Sequence, residues 1–241
     1  MTVTTGRGSQ PGRSGRLIVA LDTAEPARAA EWARACAGSV GMFKLGLEFF
    51  LANGAAGYHG IGAGRPIFLD LKLHDIPSTV AGAVRAVLPL APYFLTLHAA
   101  GGAAMIAAAR QAAGEAGPAR PLLLAVTVLT SLDAAALAAT GVVGGTCQQV
   151  LRLARLALAA GADGLVCSPQ EVAMLRQALG EGPALVVPGI RPENADRGDQ
   201  ARTMTPREAV AAGADWIVVG RPITAAANPA EAAAAIAAEI A

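Results

Sequence analysis

The stretch FLDLKLHDIPSTV, residues 68–80, joins a short apolar run to a segment of helical length that begins with a proline. Apart from Asp70 and Lys72, the first six residues are apolar, which is typical of a parallel strand covered on both faces. Pro77 follows shortly afterwards, and proline favours the first position of a helix. The stretch therefore predicts a strand followed by a helix.

The same pattern of a strand and then an alanine-rich helix recurs along the chain. Eight units in about 225 residues fit a (β/α)₈ TIM barrel, a fold that typically needs about 250. The alternative is a doubly wound open sheet, but no GxGxxG follows the first run. The eight predicted strands are residues 16–22, 42–46, 66–72, 93–98, 122–128, 164–168, 184–188 and 216–220.

The composition and the absence of a dividing linker rich in Pro, Ser or charge predict one globular domain, the barrel, over residues 16–241, after a flexible N-terminal tail over residues 1–15. Of the 241 residues, 54% are hydrophobic and 15% are charged, whereas a disordered chain is poor in apolar residues. The formal net charge of +1 provides no broad basic surface for nucleic acid. We therefore expect a few individually placed cations to bind any anionic ligand.

Neither a membrane anchor nor a metal site is indicated by the sequence. No apolar run approaches the roughly 20 residues of a membrane span, and the first fifteen residues lack the apolar core of a signal peptide. The odd number of cysteines, without a CxxC pair, predicts a reduced, cytoplasmic protein. The three histidines show no metal-binding spacing, and we expect His59 to lie in a glycine-rich loop at 53–64.

The pattern DxKxxD at residues 70–75 is the strongest candidate for chemistry, because barrel active sites lie at the carboxyl ends of the strands. Strand alternation places Asp70 and Lys72 on one face, and Asp75 follows beyond the strand end. A lysine between carboxylates stays protonated, so Lys72 is a poor nucleophile but a well-placed proton donor. The alternative is a structural ion pair at the end of a strand.

A second candidate site follows the last two predicted strands, where TIM barrels commonly bind phosphate. Gly220 permits close approach of a ligand to the backbone, and the guanidinium of Arg221 suits phosphate oxygens. Arg191 and the polar loop 192–203, which carries Gln200, are placed to close over the same anion. An ordinary strand-to-helix turn with a surface arginine is the alternative.

Three further polar residues stand at predicted strand ends. Asp22 and Lys44 end the first two strands, where lone charges are usually solvated. Thr130, after the fifth strand, is suited to hydrogen-bonding the edge of a planar ring, but capping of the following helix explains it equally well.

These motifs together resemble those of the orotidine 5′-phosphate decarboxylase family, in its shorter bacterial branch. The resemblance extends over almost the whole chain. The matching segments besides residues 68–80 are LIVALD (17–22), FKLG (43–46), LHAAGG (97–102), AVTVLTS (125–131), VCSPQE (166–171), PGIRPENADRGDQARTMTP (188–206) and VVGRPI (218–223).

The resemblance implies a role for each candidate residue. Lys72 is the proton donor, and Asp70 lies beside the leaving carboxylate of the substrate. Asp75 and Thr79 reach into the active site of a partner subunit, so that a homodimer is the catalytic unit. The residues implied to bind the rest of the substrate are Asp22 and Lys44 at the ribose, Thr130 at the pyrimidine, and Arg191, Gln200, Gly220 and Arg221 around the phosphate.

The implied activity converts orotidine 5′-phosphate to UMP and CO₂ without a metal or a cofactor. One alternative is a magnesium-dependent sugar-phosphate decarboxylase or aldolase of the same barrel group, which also carries DxKxxD. The other is a non-catalytic barrel that binds phosphorylated metabolites or partner proteins. Loss of activity in the presence of a chelator favours the magnesium-dependent enzyme. Absence of CO₂ release from orotidine 5′-phosphate supports the non-catalytic barrel.

Overall fold

A computed structural model describes residues 13–61, 64–192 and 203–241. Within these ranges, eight parallel strands form a closed barrel in chain order, and the last strand pairs with the first. The predicted (β/α)₈ fold is therefore confirmed. The strands are β1 Leu17–Ala20, β2 Met42–Gly46, β3 Ile67–Leu73, β4 Phe94–His98, β5 Leu122–Val126, β6 Gly164–Val166, β7 Ala184–Val187 and β8 Trp216–Val219.

Helices connect the strands and cover the outside of the barrel. No helix in the described ranges is long and apolar enough to span a bilayer. The helices are α1 Pro26–Cys36, α2 Leu47–Gly60, α3 Pro77–Val87, α4 Gly102–Gly114, α5 Ala134–Ala139, α6 Thr146–Ala159, α7 Val172–Leu179, α8 Pro206–Ala211, α9 Arg221–Thr224 and α10 Pro229–Glu239.

Local sequence explains where several helices begin. α1, α3, α8 and α10 each have a proline in the first turn, where its missing N–H costs no hydrogen bond. Asp133 caps α5 by accepting the N–H of Ala136, and Thr205 caps α8 in a reciprocal arrangement with Glu208. The strand-to-helix turns are thus fixed by residues near each boundary.

The prediction of a glycine-rich loop around His59 is wrong, because that residue lies in α2. The helix bends at Gly54, whose φ of 56° is outside the helical range. Phe49 and Tyr58 on this helix are buried against the barrel. Burial of that face outweighs the low helix propensity of the glycines, since tertiary packing supplies most helical stability.

Two predicted segments fall largely outside the described residues. Residues 1–12 of the predicted tail are outside them, whereas Arg13–Arg16 form a 3₁₀ turn directly before β1. Residues 193–202 of the predicted lid, including Gln200, are also outside the described ranges.

The barrel interior is filled by large apolar side chains from alternate strand positions. The ring of Phe94 packs edge-to-face against Phe68, at 5.7 Å between centroids, and against Trp216, at 5.1 Å. Such aromatic pairs contribute roughly 0.5–1.5 kcal/mol each beyond their buried area. This layer supports the polar residues that stand further along the same strands.

Two ion pairs lie at the amino-terminal ends of the strands, on the side of the barrel opposite to these polar residues. Arg120 donates to both carboxylate oxygens of Asp163, at 2.7 and 2.6 Å, and a backbone N–H of β5 donates to the same carboxylate at 2.8 Å. Arg176 pairs with Asp215, which also accepts a backbone N–H of β7 at 2.7 Å. Each carboxylate therefore ties neighbouring strands together.

Candidate active site

A layer of polar side chains stands directly above the aromatic layer, at the carboxyl-terminal mouth of the barrel. Lys44 on β2, Asp70 on β3 and Thr96 on β4 each follow an inward-facing apolar residue by two positions, so all three point inward. All three are buried. Polar groups in such a position require partners, because an unpaired buried charge is very costly.

Four charged side chains form a chain of alternating sign across this mouth. Lys44 Nζ lies 2.8 Å from Asp22 Oδ1 and 3.6 Å from Asp70 Oδ2. Lys72 Nζ lies 2.8 Å from the same Asp70 oxygen. The order is therefore Asp22, Lys44, Asp70, Lys72. The pairing neutralises the buried Lys44 and Asp70. The ammonium group of Lys72 stands at one end of this series of charges.

The pKa values of the two most buried members show how strongly the pairing acts. Burial alone would raise the pKa of Asp70, but Lys44 and Lys72 outweigh it and hold the pKa below its usual value. Burial likewise would lower the pKa of Lys44, but the charges of Asp70 and Asp22 hold it above its usual value. Both groups are therefore charged at neutral pH.

The backbone of β3 departs from regular strand geometry at Lys72. Its φ of 49° is in the left-handed region, which is rare for a residue with a side chain. The pairing with β4 shifts between Leu69↔Leu95 and Leu73↔Leu97. In place of a strand partner, the Lys72 N–H donates to Thr96 Oγ1 at 2.9 Å. The Lys72 ammonium lines the cavity described next, with its side chain 31% exposed.

A cavity of about 420 Å³ opens at this mouth. The charged chain forms one part of its wall, and an apolar surface from β3, β5 and β6 forms another. This combination suits a ligand that has a flat, weakly polar body and charged substituents. The lining residues are Ala20, Asp22, Lys44, Phe68, Asp70, Lys72, Val126, Val128, Leu129, Thr130, Val166, Cys167, Pro188, Gly189, Arg191, Val218, Gly220 and Arg221.

Two arginines stand in this wall near the ends of β7 and β8. Arg191 is buried, and its Nη1 donates to the carbonyl of Ile190 at 2.9 Å. Arg221 is exposed and begins α9, directly after Gly220. A side chain at Gly220 would extend from the cavity wall, so glycine keeps the backbone accessible to a ligand. The structure thus places Arg191, Gly220 and Arg221 in one cavity with the charged chain.

Not every predicted site residue lies in this cavity. Asp75 and Thr79 are exposed outside it, and Asp75 Oδ1 accepts the N–H of Ile76 at 2.6 Å. Thr130, in contrast, does line the cavity. Gln200 lies outside the described residues.

Thr96 is the site residue that sequence reasoning missed. It is completely buried, and its hydroxyl donates to Asp70 Oδ1 at 2.8 Å. The signal in the sequence is a single polar residue inside the apolar run FLTLH. That residue occupies an inward position beside Asp70 on the neighbouring strand.

The histidines do not meet at one point. His74 and His98 lie together, with 5.4 Å between ring centroids, while His59 is on α2. Burial lowers the pKa of His98, and the charges of His74 and Lys72 lower it further. Among the described residues, no group of three or more His, Cys, Asp or Glu side chains is placed to hold a metal ion.

Comparisons with known proteins show the family to which the chain is related. The family model described as "Orotidine 5'-phosphate decarboxylase / HUMPS family" matches residues 15–236. Proteins named orotidine 5'-phosphate decarboxylase from Gluconobacter oxydans and Anaeromyxobacter dehalogenans are 56% and 58% identical. The alignments cover 95% and 93% of this chain, and 98% of each relative. The crystal structure of orotidine 5'-phosphate decarboxylase from Lactobacillus acidophilus is similar, with a TM-score of 0.83 and 37% identity over 94% of this chain and 99% of that one.

Proposed function

The chain belongs to the orotidine 5'-phosphate decarboxylase / HUMPS family, and we propose that it converts orotidine 5′-phosphate to UMP and CO₂ in pyrimidine biosynthesis. It is an enzyme of the carboxy-lyase class. The observation that carries the proposal is that one cavity is lined both by the linked charges Asp22, Lys44, Asp70 and Lys72 and by Arg221. A pyrimidine nucleotide with a ring carboxylate and a phosphate has charges that match both parts of this cavity.

Lys72 is the proposed proton donor. When the bond between C6 and the carboxylate breaks, the electron pair remains on C6 in the plane of the ring, where no π-system delocalises it. The Lys72 ammonium stabilises this negative charge and then transfers its proton from Nζ to C6. UMP and CO₂ leave, and the neutral amine regains a proton from water. Lys72 Nζ donates a hydrogen bond to the adjacent Asp70 carboxylate at 2.8 Å, which holds the ammonium group in place before the reaction.

Asp70 has a second proposed effect, which acts on the bound substrate. Its carboxylate is held ionised by Lys44, Lys72 and Thr96. We place the leaving carboxylate of the substrate next to it, so that two negative charges repel each other in the ground state. Departure of neutral CO₂ relieves this repulsion. Binding energy from the rest of the nucleotide offsets the cost of holding the charges together.

The remaining cavity residues bind the parts of the nucleotide that do not react. Arg191, Gly220 and Arg221 contact the phosphate, together with Gln200 of the loop 192–203. Asp22 and Lys44 contact the ribose hydroxyls, and Thr130 hydrogen-bonds the edge of the pyrimidine. Their contacts orient C6 against Lys72, and orientation of this kind accounts for much of an enzymatic rate enhancement.

The catalytic unit is proposed to be a homodimer. Leu47 and Leu51, four residues apart on α2, are 46% and 79% exposed, and Ile76 is 63% exposed beside Asp75. These apolar side chains follow β2 and β3, at the same end of the barrel as the cavity. Their burial against a second copy would bring Asp75 and Thr79 of each subunit to the cavity of the other.

The dimer is tested by sedimentation equilibrium of the Ile76→Asp variant. A buried unpaired carboxylate opposes association, so we expect monomers that have lost most of their activity. Val143→Asp is the matched control, because Val143 is 83% exposed but lies between β5 and α6. A fully active Ile76→Asp monomer contradicts the shared site.

The direct test of the function is an ultraviolet assay of orotidine 5′-phosphate turnover, with CO₂ and UMP quantified and with EDTA present or absent. The proposal predicts rapid conversion that EDTA does not affect. Activity that requires magnesium and acts on a sugar phosphate favours the related barrel enzymes instead. Nucleotide binding without CO₂ release indicates a non-catalytic barrel. The three unpaired cysteines of the described structure fit the proposed cytoplasmic location.

A further inference from the structure

The hydroxyl of Thr96 joins two functional groups that come from another strand. Thr96 Oγ1 donates a hydrogen bond to Asp70 Oδ1 at 2.8 Å and accepts one from the Lys72 N–H at 2.9 Å. The residue is completely buried on β4 and does not line the cavity. It therefore acts on Asp70 and Lys72 rather than on a ligand.

The first contact fixes the orientation of the Asp70 carboxylate. Its Oδ2 oxygen receives both lysines, at 2.8 Å from Lys72 and 3.6 Å from Lys44. Its Oδ1 oxygen receives the Thr96 hydroxyl. Since a carboxylate rotates readily about its last side-chain bond, a fixed donor on Oδ1 keeps Oδ2 directed at the two ammonium groups.

The second contact fixes the backbone from which the Lys72 side chain extends. The left-handed conformation at Lys72 is unfavourable for a residue with a Cβ atom, and the surrounding structure must stabilise it. The ladder between β3 and β4 is interrupted there, from Leu69↔Leu95 to Leu73↔Leu97. The Thr96 hydroxyl supplies the acceptor that the regular ladder would otherwise provide.

We propose that Thr96 is a positioning residue, whose single hydroxyl sets the direction of the Asp70 carboxylate and of the Lys72 ammonium at the same time. The inference rests on the proposed function, because it assigns Thr96 a part in the step that Lys72 and Asp70 perform. Removal of the hydroxyl leaves the cavity wall unchanged but misdirects the reacting charge. The effect therefore belongs to the chemical step and not to nucleotide binding.

The test compares Thr96→Val, which removes the hydroxyl at nearly constant volume, with Thr96→Ser, which keeps it. We expect Thr96→Val to lower kcat about 10- to 100-fold, the range for loss of a hydrogen bond to a charged group, with KM changed less than about threefold. Thr96→Ser is expected to recover kcat to within about fivefold of the unmodified enzyme. This separation of kcat from KM, with recovery by serine, is not produced by general destabilisation.

Thr127→Val is the matched control. Thr127 is also buried, at the end of the next strand, but its hydroxyl donates to the carbonyl of Val166 and contacts neither Asp70 nor Lys72. We expect this variant to retain kcat. If Thr96→Val does not fold, Thr96→Ala removes the hydroxyl without adding a methyl group, and the same comparison applies.

Several results overturn the inference. These are a kcat for Thr96→Val within threefold of the unmodified enzyme, a loss confined to KM, or a serine variant as slow as the valine variant. Because the unmodified enzyme is assayed in the same series, failure of the proposed function can be distinguished from failure of the inference about Thr96. In the former case the unmodified chain itself releases no CO₂ from orotidine 5′-phosphate.

Discussion

At the amino-terminal end of the barrel, Asp163 accepts hydrogen bonds from one arginine and from a backbone N–H of the adjacent strand. At the carboxyl-terminal end, Asp70 accepts from Lys72 and Thr96, with Lys44 at 3.6 Å. Both carboxylates are nearly buried. The first arrangement does not line the cavity, whereas the second does.

The difference in the cations is chemically important. Arginine holds a carboxylate with two parallel hydrogen bonds and does not give up a proton in proteins. Lysine is a compact charge that can transfer a proton. The arginine pairs are therefore suited to stabilising the barrel, whereas a lysine at the mouth is suited to the proton transfer proposed for Lys72.

The largest expected effect is on activity, from replacement of Lys72. Lys72→Ala removes the ammonium group that is proposed to stabilise the charge and to donate the proton, so we expect kcat to fall by at least about 10⁴-fold. Lys72→Arg is expected to be comparably inactive, because it restores a charge without a transferable proton. UMP binding, measured by calorimetry, should persist in both variants. Rapid decarboxylation by Lys72→Ala contradicts the assigned role.

The next effect is on stability, from replacement of Arg120. Arg120→Met leaves the Asp163 carboxylate buried without its cation, which costs roughly 3–5 kcal/mol in comparable buried pairs. Denaturant unfolding measures this loss, while kcat per folded molecule should stay within twofold. Arg85→Met is the control, because the Arg85–Glu115 pair is about half exposed and exposed pairs contribute at most about 1 kcal/mol. Equal losses of unfolding free energy in Arg120→Met and Arg85→Met contradict the distinction between the buried and the exposed ion pair.

A smaller effect is expected at the phosphate side of the mouth. Arg221→Ala removes the charged hydrogen-bond donor that is proposed to contact the phosphate, so kcat/KM should fall about 10- to 100-fold. Inorganic phosphate should also inhibit the variant less strongly than the unmodified enzyme. Arg207→Ala on α8, exposed and outside the cavity, serves as the control and should behave like the unmodified enzyme.

The smallest effect concerns pH. The folded-state pKa of His98 is lowered, first by burial, so below about pH 6.5 the unfolded chain binds the additional proton more readily. Stability therefore rises with pH through the window between the folded-state pKa and about 6.5. We expect His98→Asn to flatten this part of the curve of unfolding free energy against pH. His59→Asn, on the exposed end of α2, is measured in parallel as a substitution of a histidine remote from the barrel mouth.

The barrel was predictable because buried parallel strands appear in the sequence as continuous apolar runs. The charged residues at strand ends were predictable for a related reason, since inward positions follow strand alternation. α2 was not predictable, because burial of Phe49 and Tyr58 overrides the glycines around His59. Whether the segment around His59 forms a helix or a loop depends on contacts with the barrel, and the local sequence does not show those contacts.

Other features of the site also depend on contacts distant in sequence. The left-handed backbone at Lys72 arises from its pairing with Thr96, which lies 24 residues away. Neither residue alone indicates that geometry. Asp75 likewise lies outside the cavity because it follows the end of β3, where the chain turns towards α3. The DxKxxD motif gives the spacing of Asp70, Lys72 and Asp75 along the sequence. It does not show that Asp70 and Lys72 line the cavity while Asp75 lies outside it.

The most direct test of the central claim restores the ammonium group of Lys72 by chemical means. Lys72→Cys is expected to be inactive, and alkylation of the introduced thiol with 2-bromoethylamine creates a side chain that ends in an ammonium group. Unmodified enzyme treated in parallel controls for the exposed Cys147, while Cys36 and Cys167 are buried. We expect substantial recovery of UMP formation from orotidine 5′-phosphate with this reagent and none with neutral iodoacetamide. Equal recovery with both reagents, or no recovery after complete alkylation, contradicts a role for the Lys72 ammonium.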